Sequence, residues 1–488
     1  MWALPIITDN TNLTTIQVII MLTERYLKTE KDLIGEIWQT SQIYENMLVL
    51  ADDIGSRFPG TPSEKQAQEY LVKKLKEYGY ENARAVPFTY FGWKRGAVTL
   101  EMKEPVKREF NAISLAMSPG GNVDAEVVDL GTGSPEEFEA VVPADVKGKI
   151  VLCSSATSPT GKRVHRRTKY GYAVKYGAVG FIFMNHNPGQ LAPTGSLRPS
   201  YRMGGEIPGI GVSLETGKLM QRLAKGKPLR VKFSDASKVK PDSVSANIVA
   251  ELPGRTDEWI VVGGHYDGHD IAQGAMDNLS GTAVTMELAR VLKPYEGKFR
   301  RGIRFICFAC EEIGVTGSTC YVADHLDQTE STAIMVNLEL GGLAYTDGMK
   351  HAAFTVYQPP AMRQWIEEFL EEVAYPTSIR AGMSAASDHW PFVMQGIPAI
   401  YMHEEPSMRQ LVQGRGWGHT TADYMDKVDP RNLQEGTMLM ARLLLRLATQ
   451  RKKIAKHTPL KKIVKSLEKS GMRKTLEVQL KWHPESPR

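Results

Sequence analysis

Beyond Pro241 the chain alternates short apolar runs with helical patterns, and the apolar runs end in carboxylates and histidines. Trp259-Ile-Val-Val-Gly263 predicts a strand and Ser280–Leu292 a helix. Ile303–Ala309 and Thr332–Leu338 are further strands, and Ala361–Ala374 is a helix. Pro398-Ala-Ile-Tyr-Met402 is another strand, followed by the long helix Pro430–Thr449 with its Leu/Met face. Apolar runs this continuous are buried on both sides, so the alternation predicts an α/β fold whose mainly parallel, mixed sheet is sandwiched by helices.

The same rhythm restricts where chemistry can sit. In open α/β sheets, sites form beyond the carboxyl ends of the strands. His265-Tyr-Asp267 follows the first run, and Asp277 lies in the next loop. Cys310-Glu311-Glu312 follows the second run, Glu339 the third, and His419 a later loop. Charged groups placed directly after buried runs are poorly explained as solvated surface. Histidine nitrogen and carboxylate oxygen are zinc donors, and catalytic zinc sites keep one position open. Paired ions share a bridging carboxylate and a hydroxide. The adjacent Glu311 and Glu312 can divide the work of base and ligand.

The rest of the chain divides by pattern. Residues 1–33 are expected to form an N-terminal extension. Residues 34–117 and 236–449 form one discontinuous domain. Residues 118–235, rich in glycine and short strands, are a β-rich insert, and 450–488 are a basic tail. Ser63 with Gln66 suggests a capping box opening the helix Glu64–Gly79. The tail holds twelve Lys or Arg against three Asp or Glu, so the body is net acidic despite the overall +5. The tail is expected to be a solvated extension, and no nucleic-acid partner is expected. The short run Val18–Leu22 cannot span a bilayer, and no membrane span is expected elsewhere. Cys153, Cys307, Cys310 and Cys320 are too few for a disulfide scaffold and are expected to be core thiols. Reduced thiols suit a cytoplasmic location, with secretion left open.

Six segments occur in a telling order. They are Gly264-His-Tyr-Asp267, Gly274-Ala-Met-Asp-Asn-Leu-Ser-Gly281, Cys310-Glu-Glu-Ile-Gly314 with Gly317-Ser318, Asn337-Leu-Glu339, Ser387-Asp-His389 and His419-Thr-Thr-Ala-Asp423. This order resembles the co-catalytic zinc aminopeptidases, the group that includes bacterial leucyl aminopeptidase and glutamate carboxypeptidase II. The segment 118–235 resembles the protease-associated domain inserted in many of them. The resemblance implies a zinc exopeptidase fold and two Zn²⁺, with Co²⁺ or Mn²⁺ as substitutes. His265 and Glu339 would bind one ion, Glu312 and His419 the other, and Asp277 would bridge. Glu311 would be the general base, and Asp267 would orient His265.

Two positions depart from that pattern. Glu339 stands where the family usually has Asp. Ser384 stands where its aminopeptidases often place a tyrosine that donates to the tetrahedral intermediate. Ser384, His389 or the metals would then stabilise the oxyanion. His269 and Asp270 could line the pocket, and His403 with Glu404-Glu405 could form its wall or hold the substrate's amine.

The implied activity is removal of N-terminal residues from peptides through a dinuclear zinc-bound hydroxide. A carboxypeptidase or dipeptidase on the same metals is the alternative. An acidic group beside the metals would hold an amine, whereas arginines such as Arg380, Arg409 or Arg415 would hold a carboxylate. A one-zinc aminoacyl cyclase-like transferase would not need every carboxylate. A non-enzymatic binding module would have lost a ligand or the base. The insert, by its position in the chain, could restrict access to short peptides.

Overall fold

Four of the predicted apolar runs become four adjacent strands of one sheet. The computed structural model describes residues 26–197, 203–339, 352–357, 360–375, 377–382, 384–404 and 416–486. Gly302–Phe308, Trp259–His265, Thr332–Glu339 and Ala399–Glu404 lie side by side and parallel. Lys238–Leu252 and Arg84–Lys94 extend one edge antiparallel, and Ala352–Tyr357 and Ile379–Ala381 complete the other. Every residue of Gly302–Phe308 is buried, as is Ile260 through His265. Helices must therefore cover both faces. Pro62–Glu77, Ser280–Leu292 and Pro430–Thr449 pack with one large apolar cluster, while Phe392, Val393 and Tyr321 close a second.

The helix at 62–77 begins earlier than its expected capping box. Thr61, not Ser63, accepts from the Glu64 N–H, and Glu64 reaches back to the Gly60 N–H at 2.6 Å. Pro62 explains the shift: its fixed φ and missing N–H suit the first helical turn.

A second sheet carries the inserted segment. Its order runs Arg108–Phe110, Val98–Glu104, Arg230–Asp235, Gly121–Asp129, Ile150–Ser154, Gly180–Met184, Gly209–Val212 and Ile113–Ser114. The helices Arg166–Lys175 and Leu214–Leu223 flank it, so the insert is more helical than its glycine-rich sequence suggests.

The basic tail is not a solvated extension. Leu460–Lys469 and Met472–Val478 are helices, and Ile463, Leu467 and Leu476 bury against Trp390. Gln479 bonds Thr168 at 2.7 Å, and Lys481 Nζ donates to the Ala385 carbonyl at 2.8 Å. Lysines occupy one face of the first helix and apolar residues the other. Net charge hid this amphipathic pattern. All four cysteines are buried, and none is in a disulfide. Among the described residues, no helix is long and apolar enough to cross a membrane.

Candidate dinuclear metal centre

The sheet delivers the candidate residues to one place because its parallel strands end together. His265 closes its strand, Glu311 and Glu312 follow the neighbouring one, and Glu339 closes the third. Asp277 comes from the turn before the Ser280–Leu292 helix, and His419 from a loop where its φ is +60°.

These side chains form two donor groups. His265, Asp277 and Glu339 offer ligand atoms within 4.8 Å of one another, as do His269, Glu312 and His419. Asp277 joins them: its Oδ1 lies 3.5 Å from His265 Nε2, and its Oδ2 lies 3.1 Å from His419 Nε2. His419 Nε2 is also 3.3 Å from Glu312 Oε2, and His269 Nε2 is 3.0 Å from that same oxygen. A carboxylate whose two oxygens face two nitrogen-bearing groups is what a pair of cations requires.

The chemistry of these atoms fits bound cations. His265 Nε2, both His269 ring nitrogens, Glu312 Oε1 and Glu339 Oε2 are buried without a hydrogen-bond partner among the described residues. Leaving so many polar atoms unpaired in one spot is costly. Burial also drives the carboxyls toward the neutral form. It pushes Glu311 well above the usual carboxylate range, with Glu312, Glu339 and Asp388 adding to the shift against the pull of His265. Burial likewise raises Glu312 to about 7, His419 opposing and Asp277 reinforcing. His269 is pushed down to about 3 by burial and the Arg95 charge. Burial opposes charge on His265, yet Asp267 and Asp277 hold it well above the ordinary histidine range. Divalent cations would relieve this crowding of negative charge.

Around this centre lies a layer of anchors. Asp267 is fully buried and accepts the N–H of Glu311 at 3.1 Å and that of Glu312 at 3.2 Å, one on each oxygen. Its carbonyl is 3.1 Å from His265 Nδ1, leaving Nε2 for the centre. Asp423 does the same for the bridge: it accepts the N–H of Met276 at 2.8 Å and of Asp277 at 3.2 Å. Arg57 is fully buried and donates to the carbonyls of Leu50, Gly55, Tyr266, Gln273 and Gly274, pinning both loops. The sequence quoted Asp423 in a motif without a role and gave none to Arg57. Arg57's partners are distant backbone carbonyls, which no side-chain pattern marks. His269 had a signal, since it sits four residues after His265 in the same loop.

Other expected contacts fall elsewhere. His389 is fully buried, stacked 4.3 Å from Tyr357, with its ring nitrogens facing Asn337 and the Ser384 carbonyl. It sits behind the cavity rather than lining it. His403 faces Thr355 at 3.2 Å and is likewise not among the lining residues. Ser384 does line the cavity, as does Tyr401, which the sequence had not singled out. Asp270 is drawn away into an ion pair with Arg95 at 2.7 Å. Arg380 is exposed on the edge strand, while Glu405, Arg409 and Arg415 lie outside the described residues.

The cavity over the centre measures about 520 Å³. Asp277, Glu311, Glu312 and Glu339 line it from the main domain, Arg166, Arg167 and Asn185 from the insert, and Met472 and Leu476 from the tail. The Thr194 N–H of the insert donates to the His419 carbonyl at 2.7 Å, so the two domains meet at the centre itself.

Residues 247–444 match the model of peptidase family M28, and residues 122–220 match that of the PA domain. Residues 247–444 are thus similar to a peptidase family M28 domain, and the stretch ahead of them to an inserted PA domain. It is similar to carboxypeptidase Q of Bos taurus, 25% identical over 82% of this chain and 83% of the relative. It is equally similar to aminopeptidase YwaD of Bacillus subtilis, 25% identical over 85% of this chain and 86% of the relative. Among solved structures, a peptidase M28 precursor from Shewanella amazonensis superposes with a TM-score of 0.75 at 21% identity, covering 89% of this chain and 99% of that one. An aminopeptidase from an Aneurinibacillus strain superposes at 0.63 with 25% identity, covering 85% and 96%.

Proposed function

We propose that this chain is a metal-dependent exopeptidase that removes N-terminal residues from peptides. The observation that carries the reading is Asp277, whose two oxygens face two separate donor groups. His265 and Glu339 would hold one Zn²⁺, Glu312 and His419 the other, with Asp277 between them and His269 adjoining the second; Co²⁺ or Mn²⁺ could substitute. When bound, such ions acidify water and polarise a carbonyl.

The chain's own residues do the rest. Glu311, buried and facing Glu339 and Asp388, has a carboxyl whose raised pKa suits it to keep a proton once taken. It removes the proton from the attacking water and delivers it to the leaving amine. Asp267 fixes the backbone of Glu311 and Glu312, so base and ligand keep their relative positions. Asp423 fixes the backbone of the bridge. The anionic lining offers a place for a substrate's free amine. Ser384 and Tyr401 are among the cavity hydroxyls available to the developing oxyanion.

The test is hydrolysis of a free-amine peptide and its N-acetylated form, by chelated protein and by protein resupplied with Zn²⁺. The reading expects metal-restored cleavage of the free-amine peptide. Cleavage of the blocked peptide alone would overturn it. Similarity to carboxypeptidase Q keeps the opposite end of the peptide in play, and the cavity's cationic wall bears on that point.

A further inference from the structure

One side of the cavity is built by a segment that the metal centre does not use. The tail lies beyond residues 247–444 and 122–220, the stretches that match the peptidase and PA models. Yet Met472, Thr475, Leu476 and Gln479 all line the cavity. Their spacing is i, i+3, i+4 and i+7, so they form one stripe along the helix Met472–Val478 and the residue that ends it. The stripe carries no charge. The charged residues between them are exposed and paired outside the stripe: Arg473 with Glu468 at 2.7 Å and Glu477 at 2.9 Å, and Lys474 with Glu139 of the insert at 2.8 Å.

This helix is wedged between the two domains. On the main-domain side, Leu476 joins Ile463 and Leu467 against Trp390, and Lys481 Nζ donates to the Ala385 carbonyl. On the insert side, Gln479 Nε2 donates to Thr168 Oγ1, and the Val478 backbone lies on Gly171. A Cβ at Gly171 would meet the Val478 carbonyl oxygen at 2.4 Å. Glycine weakens the middle of a helix, and within Arg166–Lys175 this one lets the tail backbone approach. The tail therefore spans from the Ala385 loop to the insert helix and stops the cavity between them.

A cavity of about 520 Å³ is about 8 Å across, the length of two or three extended residues at about 3.3–3.6 Å each. A substrate's amine belongs against the main-domain carboxylates, so the rest of the peptide runs toward the insert and the tail. There the uncharged stripe meets it side-on and offers a longer backbone no ionic partner.

We propose that Met472, Thr475, Leu476 and Gln479 form the wall that limits this enzyme to peptides of two or three residues. This rests on the exopeptidase reading above. The stripe sets substrate length and takes no part in bond breaking.

The test measures kcat/KM for free-amine alanine peptides of two to six residues, using the full-length, Zn²⁺-loaded enzyme. The parent value should fall on the order of 10-fold or more from trialanine to tetraalanine. Met472→Ala thins the wall and should raise tetraalanine relative to dialanine. Thr475→Trp thickens it and should lower trialanine relative to dialanine, each ratio moving on the order of 10-fold. Ratios taken within one protein cancel any loss of folded material. Calorimetric titration of Glu311→Gln protein with dialanine and hexaalanine reads the length preference without turnover. Equal kcat/KM across the series, or ratios unmoved in both variants, would overturn the wall. Tighter binding of dialanine than of hexaalanine, with no turnover of any peptide by the parent enzyme, would instead overturn the hydrolytic reading and leave the wall standing.

Discussion

Replacing Asp267 with Asn changes one atom and one charge where two catalytic backbones are held. Each Asp267 oxygen accepts one N–H, from Glu311 at 3.1 Å and from Glu312 at 3.2 Å, in a side chain with no solvent exposure. The amide keeps one acceptor and turns the other into a donor facing a donor. The loss is one bond to a charged acceptor, about 1.5–3 kcal/mol, and a stranded buried N–H costs about 1–3 kcal/mol more. Opposing this, the variant removes one negative charge from beside Glu311, Glu312 and Asp277. In chelated protein that relief offsets part of the loss. In metal-loaded protein it does not, because the charge then faces cations. The destabilisation should therefore be larger with metal than without, and Zn²⁺ affinity should fall about 10- to 100-fold, the usual result of losing a group that orients metal ligands. Thermal unfolding of Asp267→Asn with chelator and with Zn²⁺, beside a metal titration, measures both quantities. Parent-like Zn²⁺ affinity, or equal destabilisation in the two states, would refute the assignment of Asp267 as the anchor.

Further outcomes follow from the same geometry. Glu311→Gln should lower kcat about 10²- to 10⁴-fold while bound metal, read by elemental analysis, stays at the parent level. Asp423→Ala should strand the N–H groups of Met276 and Asp277 and weaken metal binding with little change in KM, measured by titration and steady-state kinetics. Leu467→Ala empties part of the small cluster beneath Trp390 and should cost about 2–3 kcal/mol, the low end for a buried leucine, read by denaturant unfolding. The chelated protein should lose stability as pH rises from the ordinary carboxylate range near 4 to about 7, because Glu312, Asp388 and Asp423 keep their protons in the fold and lose them when unfolded. His269 and His389, pushed down to about 3, act in the opposite sense below the ordinary histidine value and blunt the slope. Zn²⁺ should reverse the trend, since metal competes with protons for the same atoms, and thermal scans across that range check the sign.

The parts of this molecule legible in the sequence are those governed by local pattern. Buried parallel strands are continuous apolar runs, so the main sheet and the positions of His265, Glu311, Glu312 and Glu339 at its strand ends followed from reading along the chain. What was hidden depends on contacts distant in sequence. Arg57 bonds backbone carbonyls more than two hundred residues away, and nothing near it in the sequence marks that. The tail's charge concealed an apolar stripe of Ile463, Leu467 and Leu476 that has meaning only against Trp390. The arginines that the sequence offers for a carboxylate are Arg380, Arg409 and Arg415, between Glu339 and His419. The structure instead brings Arg166 and Arg167 to the cavity from the insert, because the insert folds over the centre through Thr194 and His419.

The most direct test of the dinuclear reading is a Zn²⁺ titration of chelator-stripped protein, following bound metal and hydrolysis of a free-amine peptide in the same samples. The two donor groups sharing Asp277 predict that activity climbs with bound metal to two ions per chain, with the N-acetylated peptide inert throughout. Full activity at one ion per chain, or activity untouched by stripping, would contradict it.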